Sequence, residues 1–453
     1  MTAPAAPASL ARDLARLLGE AHVLTGEAAA PFALDGVRPE LAVRPGSVEE
    51  LSAAMRALHQ AGAAMVAWGG GTHAEVGLPP RRYAAALLTE RLDRMVQYDP
   101  DDLTAGAQAG VRLAAFQAQL LPHRQWLALD PPGAARATLG GVFATGRAGP
   151  RRRFAGAPRD KVLGMTVVLA DGTVTRAGGR VVKNVAGYDL HRLYTGSFGT
   201  LAVIAEVHVR LSPVPEAHRT LLFRCASAEA AGGLLEKLLA ERLELGALEL
   251  LDGECTRAAG VPWRVSTEER AWTVAALFEG GPDLVEGHLE RARALAPAAR
   301  PELLEGGYSE SFWGAVAELS APAGSSPAPD GRGRLLLRAT TLPSEVARRC
   351  GAWKGGALGP GLSVHVHAHA AAGQIHVRLT GASGEALAGA WQRVRADLEG
   401  AEATAQLLDA PAALKPGVPW WHGSSGPAAV MQALKHTFDP QGLLAPGRLP
   451  FDA

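Results

Sequence analysis

Apolar positions along this chain repeat with two periods, and the switches between the periods mark its elements. Ser47-Val48-Glu49-Glu50 opens as a helix cap. Val48, Leu51, Ala54, Met55 and Leu58 then recur at helical spacing until Gly62 ends the run. An apolar strand, Ala64 to Trp68, follows and runs straight into Gly69-Gly70-Gly71-Thr72. Asp99-Pro100-Asp101-Asp102 is a turn signal, and Leu103 to Ala109 reads as a strand. Val162 to Leu169, Asp171-Gly172 and Val174 to Arg176 read as a hairpin. From Leu201 to Leu211 alternation puts Leu201, Val203, Ala205, Val207 and Val209 on one face, with Glu206, His208 and Arg210 on the other. Ser212-Pro213-Val214-Pro215 then interrupts the chain, and a domain boundary is expected there.

Beyond Pro215 strand-like runs (Thr220–Phe223, Trp272–Leu277, Leu335–Ala339, Val364–His369, Ile375–Leu379) alternate with helix-like ones (Ser227–Leu239, Leu284–Leu295, Gly384–Leu398). The pattern predicts two α+β units of about eighty residues each. A flexible surface loop within 320–333, rich in Ser, Pro, Ala and Gly, would join them.

Composition narrows the classes. With 453 residues, two or three domains are expected, and 47% hydrophobic with 20% charged residues excludes wholesale disorder. Lys+Arg and Asp+Glu are both 45, so the electrostatic footprint of a general nucleic-acid binder is absent. Cys225, Cys255 and Cys350 lie far apart, which leaves no disulfide framework and no cysteine-ligated iron–sulfur cluster within this chain. The opening Met1 to Pro7 lacks the basic and apolar regions of a signal peptide and reads as a tail. No apolar run reaches the roughly 18 residues of a membrane span. A cytoplasmic protein is expected, with any membrane association made through partners.

Some of the 53 glycines gather into three loops, and the rest read as ordinary turns and linker. Gly69-Gly70-Gly71-Thr72-His73-Ala74 fits the dinucleotide fingerprint G-x-G-x-x-A, but Gly77, Pro79 and Pro80 forbid the helix that fingerprint requires. No Gly-Lys-Ser/Thr follows, so it is not a Walker A loop either. It is either a plain tight turn or a nest of backbone N–H groups suited to a pyrophosphate. The second loop is Thr138-Leu139-Gly140-Gly141 after Pro131-Pro132-Gly133; the third runs from Lys183 to Leu190 and on through Gly196-Ser197-Phe198-Gly199-Thr200. Three such loops at strand ends point to an extended ligand that the backbone approaches closely.

Histidines supply the other candidate chemistry. In Val364-His365-Val366-His367-Ala368-His369, alternation puts three imidazoles on one strand face, and His376 and Arg378 share a face of the returning strand. A hairpin would gather them into a metal site, a place for a substrate carboxylate and hydroxyl, or only the polar face of a half-exposed sheet. Arg151-Arg152-Arg153 reads as a solvated loop, with partner docking or substrate steering as the alternative.

Several of these strings together resemble the FAD-binding domain of the vanillyl-alcohol oxidase/p-cresol methylhydroxylase (PCMH) superfamily. They are Arg44-Pro45-Gly46-Ser47-Val48-Glu49-Glu50, Gly69 to Thr72, Thr138 to Gly141, Arg159 to Gly164 and Gly196 to Leu201. Lys183-Asn184-Val185-Ala186-Gly187-Tyr188-Asp189-Leu190 looks like the glycolate oxidase branch, in particular its FAD-binding E subunit. Phe438-Asp439-Pro440-Gln441-Gly442 with Pro446-Gly447-Arg448 is similar to the family's closing motif.

The resemblance implies an α+β fold: an N-terminal tail and helix (1–33), a two-subdomain PCMH-type FAD-binding domain (34–215), a ferredoxin-like α+β cap or substrate domain (216–412) and a C-terminal segment (413–453) returning to the flavin. It further implies that Gly69, Gly70, Gly71 and Thr72 wrap the FAD pyrophosphate, and that Pro132, Thr138, Leu139, Gly140, Gly141, Gly199, Thr200 and Ile204 line the cofactor. Some members tether FAD through a histidine of the first loop. Here Thr72 takes that position and His73 follows it, so noncovalent FAD is expected.

His369-Ala370-Ala371-Ala372-Gly373-Gln374-Ile375-His376 aligns with H-A-G-D-G-N-L-H, a metal and active-site motif of related D-lactate and glycolate-oxidising flavoproteins. Ala372 and Gln374 replace its aspartate and asparagine, and Trp421-His422-Gly423 is only a remnant of the carboxylate-bearing stretch downstream, so no metal is assigned. His369, His376, Arg378 and Arg448 are the expected catalytic residues, with Arg448 as a fixed cation beside the flavin. The implied activity is oxidation of a 2-hydroxy acid such as glycolate, within a complex containing a second FAD-binding subunit and an iron–sulfur subunit. A flavin-binding assembly or electron-relay subunit, and a stand-alone D-lactate or 2-hydroxy-acid dehydrogenase, remain as alternatives.

Overall fold

The computed structural model describes residues 7–180, 187–261, 271–297, 301–323, 332–423 and 426–449. After helix α1 (Pro7–Leu18) comes a four-stranded sheet of β1 (Val23–Thr25), β2 (Leu41–Val43), β3 (Met65–Trp68) and β4 (Ala85–Leu88), in the order β1-β2-β4-β3. β4 runs parallel to β2 and β3, and α2 (Val48–Gln60) provides the connection between β2 and β3. α2 begins where its pattern predicts. Ser47 Oγ accepts the Glu50 N–H at 3.1 Å, while the Glu50 carboxylate accepts the Gly46 N–H at 2.7 Å.

A five-stranded antiparallel sheet follows, built from β5 (Met95–Asp99), β6 (Thr104–Gln108), β8 (Val162–Val168), β9 (Val174–Gly178) and β10 (Val203–Arg210), in the order β5-β6-β10-β8-β9. A short pair, β7 (Gln125–Trp126) with β11 (Ser212–Pro213), lies beside it, and α3 (Leu113–Leu120), α4 (Leu139–Thr145), α5 (Pro158–Lys161) and α6 (Leu190–Tyr194) fill the connections. The single apolar face expected of Leu201 to Leu211 is divided. A register shift between Ile204 and Glu206 turns Val203 and Ala205 toward the core of the first sheet, and Ile204, Val207 and Val209 toward a second core. An extra residue in one strand switches the side on which its neighbours lie.

The remaining chain forms two βαββαβ units. The first comprises β12 (Ala217–Cys225), α7 (Ala228–Ala240), β13 (Leu245–Asp252), β14 (Trp272–Gly280), α9 (Pro282–Leu295) and β15 (Glu302–Glu305), with α8 (Gly253–Ala258) and α10 (Gly306–Glu318) added. The second comprises β16 (Gly333–Thr340), α11 (Val346–Ala352), β17 (Leu362–His369), β18 (Gln374–Gly381), α12 (Gly384–Leu398) and β19 (Thr404–Asp409). Their strand orders, β15-β12-β14-β13 and β17-β18-β16-β19, are both of ferredoxin-like type. The units are joined by more than a loop. β13 pairs antiparallel with β17 through Glu249–His369, Leu250–Ala368 and Leu251–His367, making one nine-stranded sheet that ends in β20 (Trp421–His422). Most of the proposed joining loop, 324–331, lies outside the described residues, as do 183–186 of the third glycine loop.

Helices α7, α9, α11 and α12 share a core with one face of this sheet, and α8 and α10 cover part of the other. After α13 (Gly426–Phe438) the chain returns to the first sheet. The Met65 N–H donates to Leu443 O and the Ala445 N–H to Met65 O, both at 2.8 Å. The C-terminal segment therefore packs on the strand that leads into the first glycine loop.

Candidate active site

The first glycine loop leaves β3 and meets the second loop almost at once. A Cβ on Gly69 would overlap Thr138 Oγ1, and one on Gly70 would overlap the Arg136 carbonyl oxygen. Glycine is required here by loop-on-loop packing. Gly71 has φ of 70°, a left-handed conformation that also favours glycine. Thr138 caps α4 by accepting the Gly141 N–H at 3.2 Å, and a Cβ on Gly140 would lie 2.6 Å from the Ala109 Cβ. Gly69, Gly70, Gly71, Thr72, Gly140, Gly141, Gly199 and Ile204 line one narrow cleft. Leu139 is buried below it, and Pro132 precedes Gly133, whose missing side chain leaves room for Thr72. Thr200 faces a separate groove, with its hydroxyl on Ser197 O at 2.7 Å.

The N–H groups of Gly70, Gly71 and Thr72 have no protein acceptor among the described residues. Open donors without side chains in front of them form a nest that an anionic pyrophosphate satisfies, and FAD fits it. Thr72 turns its hydroxyl to His73 Nδ1 at 3.0 Å. Burial, with the charge of Arg147, holds the His73 imidazole down to about 3, so it is neutral near pH 7.

Across from this loop the nine-stranded sheet presents polar rows. β17 and β18 pair His367 with His376, His369 with Gln374 and His365 with Arg378. β16 sets Arg338 opposite His376, β19 sets Gln406 opposite Arg338, and β13 sets Glu249 opposite His369. The His367 and His376 rings stack with centroids 4.9 Å apart, and His369 meets His376 edge-on at 4.9 Å. All three are buried. Burial, then Arg378 nearby, holds His367 down to about 3; burial followed by neighbouring imidazoles and arginines pushes His369 and His376 well below the usual range. His367 Nε2, His369 Nε2 and His376 Nδ1 have no hydrogen-bond partner among the described residues. Among the described residues no group of three or more His, Cys, Asp or Glu side chains is arranged to hold a metal ion.

Of the four expected catalytic residues, the structure brings His369 and His376 together. Arg378 belongs to the same face but donates to Leu319 O at 3.1 Å and Ala321 O at 2.9 Å, fastening the end of α10. Arg448 is buried behind the first glycine loop, where Nη2 donates to Ala74 O and, at 2.6 Å, to Val76 O.

Two residues of this region escape the sequence patterns. Arg147 follows α4 at its left-handed Gly146; it is 3% exposed and donates through Nη2 to Ser320 O at 3.2 Å. Its Nε and Nη1 have no partner among the described residues, and its charge depresses His73, His367, His369 and His376 alike. Its one visible signal is an arginine isolated in Gly146-Arg147-Ala148-Gly149. Glu249 is fully buried, with Oε1 2.7 Å from His369 Nδ1. The arginine run needs correction too. Arg151 is half-buried between Asp130 (3.4 Å) and Glu279 (2.8 Å), and Arg152 donates to Gln374 Oε1 at 3.3 Å, so only Arg153 fits the solvated reading.

A backbone nest facing buried neutral imidazoles across two halves of one chain suits a flavin that exchanges electrons with a small polar substrate. Residues 39–178 match the FAD binding domain, and residues 418–449 match the C-terminal domain of FAD linked oxidases. The chain is an FAD-binding oxidoreductase with the expected PCMH-type fold, and FAD is its cofactor. It is similar to the glycolate oxidase subunit GlcD of Bacillus subtilis, at 27% identity over 426 residues, covering 91% of this chain and 89% of that one. It is also 41% identical over 143 residues to the glycolate oxidase subunit GlcE of Escherichia coli, covering 31% of this chain and 41% of that protein. The solved p-cresol methylhydroxylase superimposes with a TM-score of 0.72 at 16% identity, over 97% of this chain and 96% of that one, a likeness of fold.

Proposed function

We propose that the chain oxidises a small 2-hydroxy acid, glycolate first among them, to the 2-oxo acid as the FAD-binding subunit of a glycolate oxidase (glycolate dehydrogenase) complex. The observation that carries this reading is Arg147: a buried guanidinium with two nitrogens unpartnered among the described residues, set among neutral imidazoles. A buried cation without a counter-ion is costly, and a substrate carboxylate supplies the missing anion as a charge-assisted partner. With the carboxylate there, the α-hydroxyl falls to the imidazoles, whose unpartnered nitrogens accept its proton. FAD supplies the hydride acceptor. The burial of His367, His369 and His376 keeps water from competing for the proton.

GlcD is matched over nearly the whole chain and GlcE at higher identity over a shorter stretch, which supports a glycolate oxidase subunit. We assign the E-type role on that local identity. The three cysteines are free and buried, so onward transfer is assigned to a separate iron–sulfur subunit beside a second FAD-binding subunit, in the cytoplasm. A flavin-binding relay role is the second reading, favoured by Ala372 where the related motif has an acid and by Gln374, a longer amide, where it has asparagine; Gln374 here is held by Arg152. Anaerobic addition of glycolate to the purified FAD-loaded chain separates the two. Bleaching of the oxidised-flavin band is expected; an unchanged band in a chain that still completes an active complex assigns the chemistry to its partner. Turnover of D-lactate by the isolated chain with a dye would instead make it a stand-alone dehydrogenase.

A further inference from the structure

The seam between the two ferredoxin-like units carries a feature that neither glycine loops nor histidine pattern requires. β13 is buried along its whole length, yet it bears Glu249 in the run Leu245 to Leu251. Where β13 meets β17 the register sets Glu249 opposite His369, with Oε1 2.7 Å from Nδ1. The carboxyl is 0% exposed and the imidazole 1%. Neither Glu249 Oε2 nor His369 Nε2 has another partner among the described residues. A carboxyl costs much to bury, and a leucine would continue the run without that cost. Packing therefore does not explain it.

We infer that Glu249 is a positioning residue: it holds the proton of His369 on Nδ1 and leaves Nε2 as a bare acceptor turned to the substrate. The inference rests on the proposed 2-hydroxy-acid chemistry for its catalytic meaning, but not for its structural content. A neutral imidazole carries one N–H, and which nitrogen carries it is set by the hydrogen bond of the other. An ionised carboxylate accepts only, so its partner Nδ1 must donate, and Nε2 then presents its lone pair. When the hydroxyl proton arrives at Nε2, the imidazolium that forms already faces a carboxylate, so no uncompensated charge is created in the sheet. Burial, and then the neighbouring Asp130, push the Glu249 carboxyl well upward, toward its protonated form, so the tautomer of His369 reads out whether the carboxyl at 2.7 Å is ionised. The reverse arrangement, a protonated Glu249 donating to Nδ1, would place the proton on Nε2 and make His369 a donor. The two arrangements differ at an atom that can be observed.

The test uses FAD-loaded protein labelled with nitrogen-15 in its histidines, with His369 assigned by comparison with H369N. A protonated Nδ1 and an unprotonated Nε2 are expected in the wild type and in Glu249→Gln, whose amide oxygen can still accept. In Glu249→Leu the two tautomers should mix or reverse. In anaerobic flavin reduction by glycolate, Glu249→Gln should lower the limiting rate about tenfold and Glu249→Leu about 100-fold, within the range for general-base contributions, with the half-saturating concentration within twofold of the wild type. A proton on Nε2 in the wild type overturns the inference. So does an unchanged tautomer in Glu249→Leu, or a loss confined to substrate affinity. If Glu249→Leu does not fold, the near-isosteric Glu249→Gln still decides, because unimpaired turnover would remove the need for the carboxylate. If no 2-hydroxy acid reduces the wild-type flavin, the proposed activity fails while the tautomer spectrum still judges the Glu249–His369 pair.

Discussion

The buried imidazoles tie the stability of this molecule to pH through the proton balance of single residues. His73 and His367 are held down to about 3 in the folded state, against about 6.5 in an unfolded chain. Between those values the unfolded chain binds more protons than the folded one. Stability is therefore fully present above about pH 6.5 and is lost as pH falls, at up to about 1.4 kcal/mol per pH unit for each such group. Asp409 works the other way: burial raises its carboxyl to about 6, so the folded state gains protons there as pH drops from 6 toward the ordinary carboxylate range. Burial likewise raises Asp35, Asp130, Glu249 and Glu302, but the depressed imidazoles outnumber these carboxyls, since His191, His208, His365, His369 and His376 shift in the same direction as His73 and His367. Urea unfolding at pH 7 and pH 5 should show lower stability at pH 5, with a smaller difference in His367→Gln. Equal stability at the two values would refute this account. The alternation that placed His365, His367 and His369 on one face is legible in sequence because strand period is local. Arg147 and Glu249 are not legible in this way, since each gains its meaning from atoms more than a hundred residues away.

Among the elements, the glycine loops show how a correct pattern can carry more than one cause. Clustering at strand ends signals close backbone approach, and the cleft collects residues of all three loops. Yet at Gly69 and Gly70 the close neighbour is the second loop itself. A methyl group at Gly70 would meet a backbone carbonyl, which cannot rotate away as a side chain can. Gly70→Ala should therefore displace the 136–138 segment and weaken FAD binding at least tenfold, read by retention of yellow cofactor through gel filtration and by flavin-fluorescence titration. Gly233→Ala, on the helix α7, meets nothing within 4 Å and serves as the control, with unchanged FAD affinity. If Gly70→Ala binds FAD as the wild type does, the loops are less tightly joined than their geometry requires. Other elements were hidden for a related reason. β13 contains no alternation to announce a strand, because both of its faces are covered and apolar residues run through it. The division of β10 between two cores depends on a bulge, which is a property of its pairing with β8.

At the scale of the whole molecule, the local periods predict two α+β units correctly but not that they fuse edge to edge, because the β13–β17 contact joins residues more than a hundred positions apart. The same long reach explains why Arg151 looked like a surface charge. Its partners are Asp130, 21 residues back in the FAD-binding half, and Glu279, 128 residues ahead on β14 of the nine-stranded sheet. All three side chains are only 14–15% exposed, so this is a shielded junction between the halves that face each other across the site. An exposed pair would contribute little, whereas removing one member of a shielded pair leaves a charge with incomplete compensation, at a cost of about 3–5 kcal/mol in fully buried cases. The partial exposure and the remaining Asp130 contact place Glu279→Ala below that range, at about 1–3 kcal/mol. The loss should fall on the contact between halves. Heating the FAD-loaded protein should then release flavin fluorescence several degrees before the far-ultraviolet signal of the nine-stranded sheet is lost, where the wild type shows both together. Arg153→Ala, at an exposed position of the same run, should leave the two signals coincident. Coincident transitions in Glu279→Ala, or equal separation in both variants, would show that the halves are held together by the rest of their interface and that the Arg151 junction is incidental to it.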